Sequence, residues 1–549
     1  MSRAPYKPSE VVDFLVIGSG AAGGVMAKEL ATAGFSVVLL EQGPRFKESD
    51  FRHDEFQMQF QSGITNDVRV QPMTYRRNDS EPAVVRQAVE YGRMVGGGSV
   101  HFTGNYWRFH ERDFRERSSW GPVAGATLED WPISYADLEP YYTKAEQEIG
   151  ISGLAGSNPF DSPRSAPYPL PPMPVKGGGV LLDRAARKLG LHSFPAPVAI
   201  LSKPYRGRGA CTHCGYCEAF GCEVRAKSST LAALIPVAEK TGMCEIRSGA
   251  YVRKLPVNGQ GRVTGAVYFD RRRREVFQRA RSVVVCANGA ETPRLLLMSK
   301  SPAFQQGLAN SSGLVGKNLM FDTWAYTVGL FEHPVNEYKG IVATRVVHDY
   351  YDADPKRGFY GGGGIDSRFD LMPIAYALTG LPPDAPQWGR GYKKVLADSF
   401  THSSGLAAHC SCLPVETNRV DLDPVVKDAW GLPAMRVTFD CHPDDVKTML
   451  FMRDRMLEIA EAAGARTKWA LPVGDVLPSR HLMGTCRMGN DPRKSVVNAD
   501  NRSHDVANLF LVDGSSLVTS ARQQPTATIQ ALAYRAADKM TQLAKSGGI

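Results

Sequence analysis

The chain has 549 residues, 60.0 kDa and 43% hydrophobic residues, which excludes a disordered protein and predicts more than one structural unit. Its 65 basic and 56 acidic side chains leave a net charge of +9, too thin a field over this length to point to nucleic acid. No run of about 18 apolar residues occurs, so no membrane-spanning helix is expected.

The polar first ten residues hold two prolines, and the apolar stretch 11–18 is too short and too strand-like for a signal peptide. No export signal of the chain's own is therefore expected. Residues 13–23 read as a buried strand, a glycine turn and a helix start. Gly18, Gly20 and Gly23 occupy the G-x-G-x-x-G positions, with Ala22 opening the helix. The first glycine permits the tight turn, the second admits a pyrophosphate to the backbone, and the third lets helix and strand pack closely. The helix is expected over about 22–33, closed by Gly34, and a second strand over 35–40. Glu41 ends that strand 18 residues beyond Gly23, close to the spacing of about 20 for an acid that binds ribose hydroxyls and repels a 2′-phosphate. A second glycine-rich stretch, 91–104, contains Arg93, Gly96, Gly97, Ser99 and His101 and can run along a long cofactor.

The proline-rich segment 158–174 reads as an extended connector. Cys211, Cys214, Cys217 and Cys222 form a C-x2-C-x2-C-x4-C run, one residue longer in its last gap than the bacterial ferredoxin pattern. An iron–sulfur cluster is the first reading. Zinc is the second, although it favours two distant pairs or histidine partners, and His213 inside the first loop is a poor ligand by reach. The other six cysteines are scattered, which suits buried thiols rather than a disulfide framework. Arg271–Arg274 is read as a solvated turn of a strand pair, 262–269 and 275–279. A late buried strand follows at 281–287, with a helix opening at Pro293. Gly361–Gly364 and 381–386 suggest mobile loops near a cavity mouth. Near the C-terminus come His481-Leu-Met-Gly-Thr, a strand ending in Asp513-Gly514, and Gln523-Gln524-Pro525-Thr526, with Pro525 suited to the first helical position.

Three widely separated pieces are thus needed to complete one nucleotide-binding unit. That arrangement, with these motifs, resembles the GMC (glucose–methanol–choline) flavoprotein oxidoreductases, most densely at 11–44, 91–109, 281–297 and 481–540. Two positions depart from the family pattern: Asn288 replaces a common glycine, and Gln524 replaces the usual His or Asn before the proline. The resemblance implies an α/β protein with a split Rossmann-like FAD-binding domain (1–130, 205–320 and 475–549). A second, α+β substrate domain on an antiparallel sheet would comprise 131–204 and 321–474. It places Val252, Ala287, Asp513, Gly514, Pro525 and Thr526 along FAD beside the glycines already named. It implies that His481 takes the hydroxyl proton while hydride leaves for the flavin, and that Gln524 orients the alcohol. A neutral imidazole, with an ordinary pKa of about 6.5, suits that proton transfer. His101 either bonds covalently to the flavin 8α-methyl or only packs beside the ring.

The cysteine run narrows the resemblance to the large flavoprotein subunits of gluconate 2-dehydrogenase, FAD glucose dehydrogenase and glucoside 3-dehydrogenase. Those imply a three-iron cluster on Cys211, Cys217 and Cys222, with Cys214 a spectator or the fourth ligand of a four-iron cluster. They imply a small subunit that carries the export signal, a cytochrome c subunit and a periplasmic location. The alternative is a cytoplasmic enzyme serving a diffusible carrier. Rival functions are an oxygen-using oxidase with a structural metal and a non-catalytic scaffold subunit. No motif in 321–474 identifies the sugar, glycoside or sugar acid.

Overall fold

The strand Val12–Ile17 is almost wholly buried because parallel strands cover both its edges, Val37–Glu41 on one side and Glu275–Val285 on the other. A strand so enclosed reads as a continuous apolar run rather than an alternating one. In the computed structural model, which describes residues 6–61 and 63–549, these strands belong to a seven-stranded sheet. Residues 1–5 of the polar N-terminus and Ser62 lie outside the described residues. Cys244–Ser248 extends the sheet at one edge, and Gly265–Phe269 and Tyr251–Lys254 extend it at the other. Leu509–Leu511 pairs parallel to Glu275–Val285, so the sheet takes strands from three distant stretches of chain.

The helix Ala21–Thr32 follows the glycine turn within one residue of expectation, and Gly34, at φ +94°, lies just beyond its C-cap. The helix expected to open at Pro293 instead spans Asn288–Met298 with the proline inside it. Proline has no N–H to offer the carbonyl four residues earlier. That carbonyl, of Gly289, accepts the Thr485 hydroxyl at 2.6 Å instead. Asn288 sits at φ +77°, where asparagine is among the few tolerated side chains, and its Oδ1 accepts from the N–H groups of Ala290 and Glu291.

A six-stranded antiparallel sheet runs Thr467–Ala470, Thr323–Leu330, Ser403–Cys410, Gly363–Arg368, Ala343–Val347, Ser193–Pro195. Ser403–Cys410 is buried throughout, and the helix Pro443–Ala463 packs across it. Gly361–Gly364 is not a mobile loop: Gly363 and Gly364 start a buried strand of this sheet. A Cβ at Gly362 would lie 2.1 Å from the Tyr351 carbonyl oxygen, and one at Gly363 2.5 Å from that of His409. A four-stranded sheet joins Met73–Arg76 and Val84–Val85 to Arg419–Lys427 and Pro433–Thr438, spanning the two expected domains. Among the described residues no helix is long and apolar enough to cross a membrane.

Candidate active site

A cavity of about 540 Å³ starts at the first glycine turn and ends against the six-stranded sheet. Gly18, Gly20 and Ala22 line its first part at the N-terminus of Ala21–Thr32. Gly18 has φ +91°, and a Cβ there would lie 2.4 Å from the Cys286 carbonyl oxygen. Gly23 stands behind the wall, where a Cβ would come within 1.9 Å of the Gly18 carbonyl oxygen. Gly23→Ala should therefore cost about 1–3 kcal/mol or more through overpacking. Flavin content after gel filtration, with denaturant unfolding, checks this; unchanged content and stability would contradict it.

Glu41 lines the cavity and accepts from Ser19 N, Ser19 Oγ at 2.7 Å and Gly43 N at 2.8 Å. Burial pushes its carboxyl above the ordinary range, against those hydrogen bonds and the Arg93 charge. Gly97, Ser99, His101, Val252, Ala287, Asp513 and Gly514 also line the cavity, as do Pro525 and Thr526 at the N-terminus of the helix Thr526–Lys545. Pro525 is the N-cap of that helix rather than its first residue. Arg93 and Gly96 are not in the wall. The Arg93 guanidinium lies over Trp430, 5.8 Å from the ring centroid, and Gly96 N donates to Ser19 Oγ behind the wall.

His481 and Gln524 both line the cavity. His481 Nδ1 stands 2.8 Å from Asp322 Oδ2, and an ionised carboxylate can only accept, so this nitrogen donates. In the neutral ring Nε2 is then the basic nitrogen. The same Asp322 oxygen accepts from His409 Nδ1 at 2.5 Å. Burial would push the Asp322 carboxyl up, but the two imidazoles outweigh it and hold the group well below the usual carboxylate range. Gln524 is buried with neither amide atom paired, and His101 Nε2 is likewise buried without a partner. Burial, with Arg480 and Lys227 nearby, lowers His101 to about 3, so the ring is neutral at pH 7. Two helix N-termini, bare glycine backbone and these unpaired polar atoms fit a long anionic cofactor with a polar ring system.

The cysteine loop abuts this wall. Ala219 N donates to the His101 carbonyl at 2.9 Å, and Glu218 lines the cavity, where it pairs with Arg480. Lys227 Nζ is buried and donates to the carbonyls of Phe102, Cys217 and Phe220. Burial pushes the Cys217 thiol up to about 12 and also raises Cys211 and Cys214. Cys211 and Cys222 pack on one small apolar cluster, whereas Cys214 is exposed. Among the described residues no three of these sulfurs lie within 4.8 Å of one another. In a tetrahedral zinc site they would stand about 3.8 Å apart. Anchored by its own backbone bonds to Leu201, His101 and Gly340, the loop is not closed around a single ion.

Asp322, His409, Arg368, Asp370 and Glu218 were not identified from the sequence. Asp322 and His409 are 87 residues apart in a region without motifs, and sheet register brings them together by pairing Trp324 with His409.

Three kinds of similarity bear on this geometry. Residues 180–323 and 414–533 match the two GMC oxidoreductase models, and 16–65 match an NAD(P)-binding Rossmann-like domain. The chain is 36% identical to 2-methyl-1,2-propanediol dehydrogenase of Mycolicibacterium austroafricanum, over 96% of this chain and 95% of that one. It is 31% identical to the fructose dehydrogenase large subunit of Gluconobacter japonicus, over 97% and 98%. The solved pyridoxine 4-oxidase of Mesorbium loti superimposes with a TM-score of 0.65 at 17% identity, covering 96% of this chain and 99% of that one. The split nucleotide sheet, the antiparallel second sheet and the cavity between them carry the same assignment, and the chain belongs to the GMC oxidoreductase family, FAD enzymes that oxidise CH–OH groups of alcohols and sugars.

Proposed function

We propose that the protein is a dehydrogenase of polyols, sugars or sugar acids that passes electrons through an iron–sulfur cluster on Cys211, Cys217 and Cys222, with Cys214 as an optional fourth ligand. The observation that carries this reading is the contact between the cysteine loop and the cavity wall, through Ala219 N on the His101 carbonyl and Lys227 on those of Phe102 and Cys217. FAD, when bound, supplies the hydride acceptor. His481 accepts the hydroxyl proton at Nε2, and Asp322 stabilises the charged ring that results. The unpaired Gln524 amide orients the alcohol oxygen. His101, buried and neutral, is the side chain for a covalent link to the cofactor. Glu41, Gly18 and Gly20 serve the nucleotide end, and the domain division is 1–130, 205–320 and 475–549 against 131–204 and 321–474.

A relative named as a large subunit supports a multi-subunit enzyme; the assembly proposed is this chain, a small export subunit and a cytochrome c, working in the periplasm. Relatives named for a diol, for fructose and for gluconate support a polyol, sugar or sugar acid as substrate.

Anaerobic mixing with 1,2-diols, hexoses and aldonates should bleach the flavin with at least one of them. Iron analysis and low-temperature EPR of the same preparation should find a cluster, and Cys217→Ser should lose it while flavin bleaching persists. Zinc without iron, or rapid peroxide formation in air, would favour the oxidase. No bleaching with any of these would favour the scaffold.

A further inference from the structure

His481 does not face its carboxylate alone. Asp322 Oδ2 receives two imidazole N–H groups, from His481 at 2.8 Å and from His409 at 2.5 Å. His409 is 5% exposed, in the middle of the antiparallel sheet, so its ring cannot turn away to water. Trp107 meets it edge-on at 6.3 Å. On its far side Nε2 stands 3.8 Å from Asp366 Oδ2, placing a carboxylate on either side of the ring. Asp366 is itself held by Asn105 Nδ2 at 2.9 Å.

Of the other charges near this chain, Arg368 pairs with its outer member Asp366, and Arg480 pairs outside it. Arg368 Nε is 3.4 Å from Asp366 Oδ1, and its Nη1 is 3.6 Å from Asp370. Arg480, next to His481 in sequence, is bonded to Glu90 at 3.0 Å and to Glu218. Among the described residues no arginine or lysine forms an ion pair with Asp322, which pairs with the two imidazoles.

We propose that Asp322, His409 and Asp366 form a buried tether that sets the proton affinity of His481, with His409 acting as a positioning residue through the shared oxygen. An opposite charge within about 4–6 Å favours the protonated form of a base by about 1–3 pH units. An undivided buried Asp322 would therefore hold a proton on His481 and block it as a base near neutral pH. His409, by donating to the same oxygen, takes up part of that charge. The arrangement keeps His481 Nε2 unprotonated before reaction yet leaves a carboxylate to stabilise the ring afterwards. This inference rests on His481 as the base.

The test uses the holoenzyme and two readouts. The first is the pH profile of anaerobic flavin reduction by 1,2-propanediol or whichever polyol bleaches the flavin. The second is the pH dependence of carbethoxylation of His481 by diethyl pyrocarbonate, mapped by mass spectrometry without substrate, which reports the unprotonated ring. His409→Gln should move both midpoints up by about one unit, a tenfold loss of rate below the midpoint that shrinks as pH rises. Asp322→Asn should move them down by about one unit or more and lower the limiting rate. Asp366→Asn removes a more distant negative charge and should move them down by less than Asp322→Asn, and His409→Leu serves if His409→Gln does not fold. A uniform loss at every pH with an unmoved carbethoxylation midpoint would overturn the tether. If the midpoint shifts but His481→Ala still reduces flavin within tenfold of wild type, the tether stands and the base assignment falls.

Discussion

His481→Ala is expected to slow anaerobic flavin reduction by about 10²–10⁴-fold, the usual value of a positioned general base. That corresponds to about 2.7–5.5 kcal/mol of activation free energy. The protein should stay folded, because Asp322 keeps its hydrogen bond from His409 and is not left as a bare buried carboxylate. Stopped-flow reduction at saturating substrate measures the effect directly. A loss below tenfold would remove His481 from the role. A loss of flavin content would show instead that the substitution disturbs cofactor binding.

The second large effect is expected at Arg522, two residues before Gln524. Its guanidinium is buried and bonds Asp113 Oδ1 at 2.8 Å and both oxygens of Glu116. Tyr351 donates to Asp113 at 2.6 Å and Tyr360 to Glu116 at 2.9 Å, and His110 stacks on Tyr351. Burial holds the Asp113 carboxyl above the ordinary range even with Arg522 beside it. Arg522→Ala would strand two carboxylates without their cation, which typically costs about 3–5 kcal/mol. The unfolding midpoint in urea should fall accordingly. Arg522→Lys should lose less, since it keeps the charge but not the forked geometry. If Arg522→Ala unfolds at the wild-type urea concentration, the cluster is not a stabilising clamp. Because the same cluster anchors the loop that presents Gln524, substrate KM should rise in the lysine variant even where stability is mostly retained.

The nucleotide end could be read from sequence because its chemistry is local. Strand, glycine turn, helix and Glu41 follow one another within thirty residues, and a Cβ at Gly18 or Gly23 would run into a backbone carbonyl. His481 is marked in the sequence only by its flanking motif. Its partners are not marked, because Asp322 and His409 acquire meaning from the pairing of two strands, and no local spacing encodes that register. Arg93 stands in the expected segment, but outside the cavity lining, with its guanidinium over Trp430, more than three hundred residues away. Pro293 misled because a hydroxyl from Thr485 replaces the missing donor and lets a helix run through a residue that ordinarily ends one. Gly361–Gly364 looked like a loop because glycine-rich runs usually are, whereas two of these glycines make room for neighbouring carbonyls in a buried sheet.

The seventh strand of the nucleotide sheet, Leu509–Leu511, has a consequence for biosynthesis. A ribosome that has made the first glycine turn, the cysteine loop and the whole antiparallel sheet still holds a chain lacking that strand, Asp513 and the helix Thr526–Lys545. The helix Asn288–Met298 is also incomplete until Thr485 arrives to take its spare carbonyl. The chain must be synthesised as far as the helix Thr526–Lys545 before the cofactor cradle can close, so flavin capture waits for that helix. Contacts this distant in sequence form slowly and leave apolar strand edges exposed meanwhile. A recombinant host should accordingly yield more holoenzyme when translation is slowed or chaperones are supplied than when flavin alone is added to the medium.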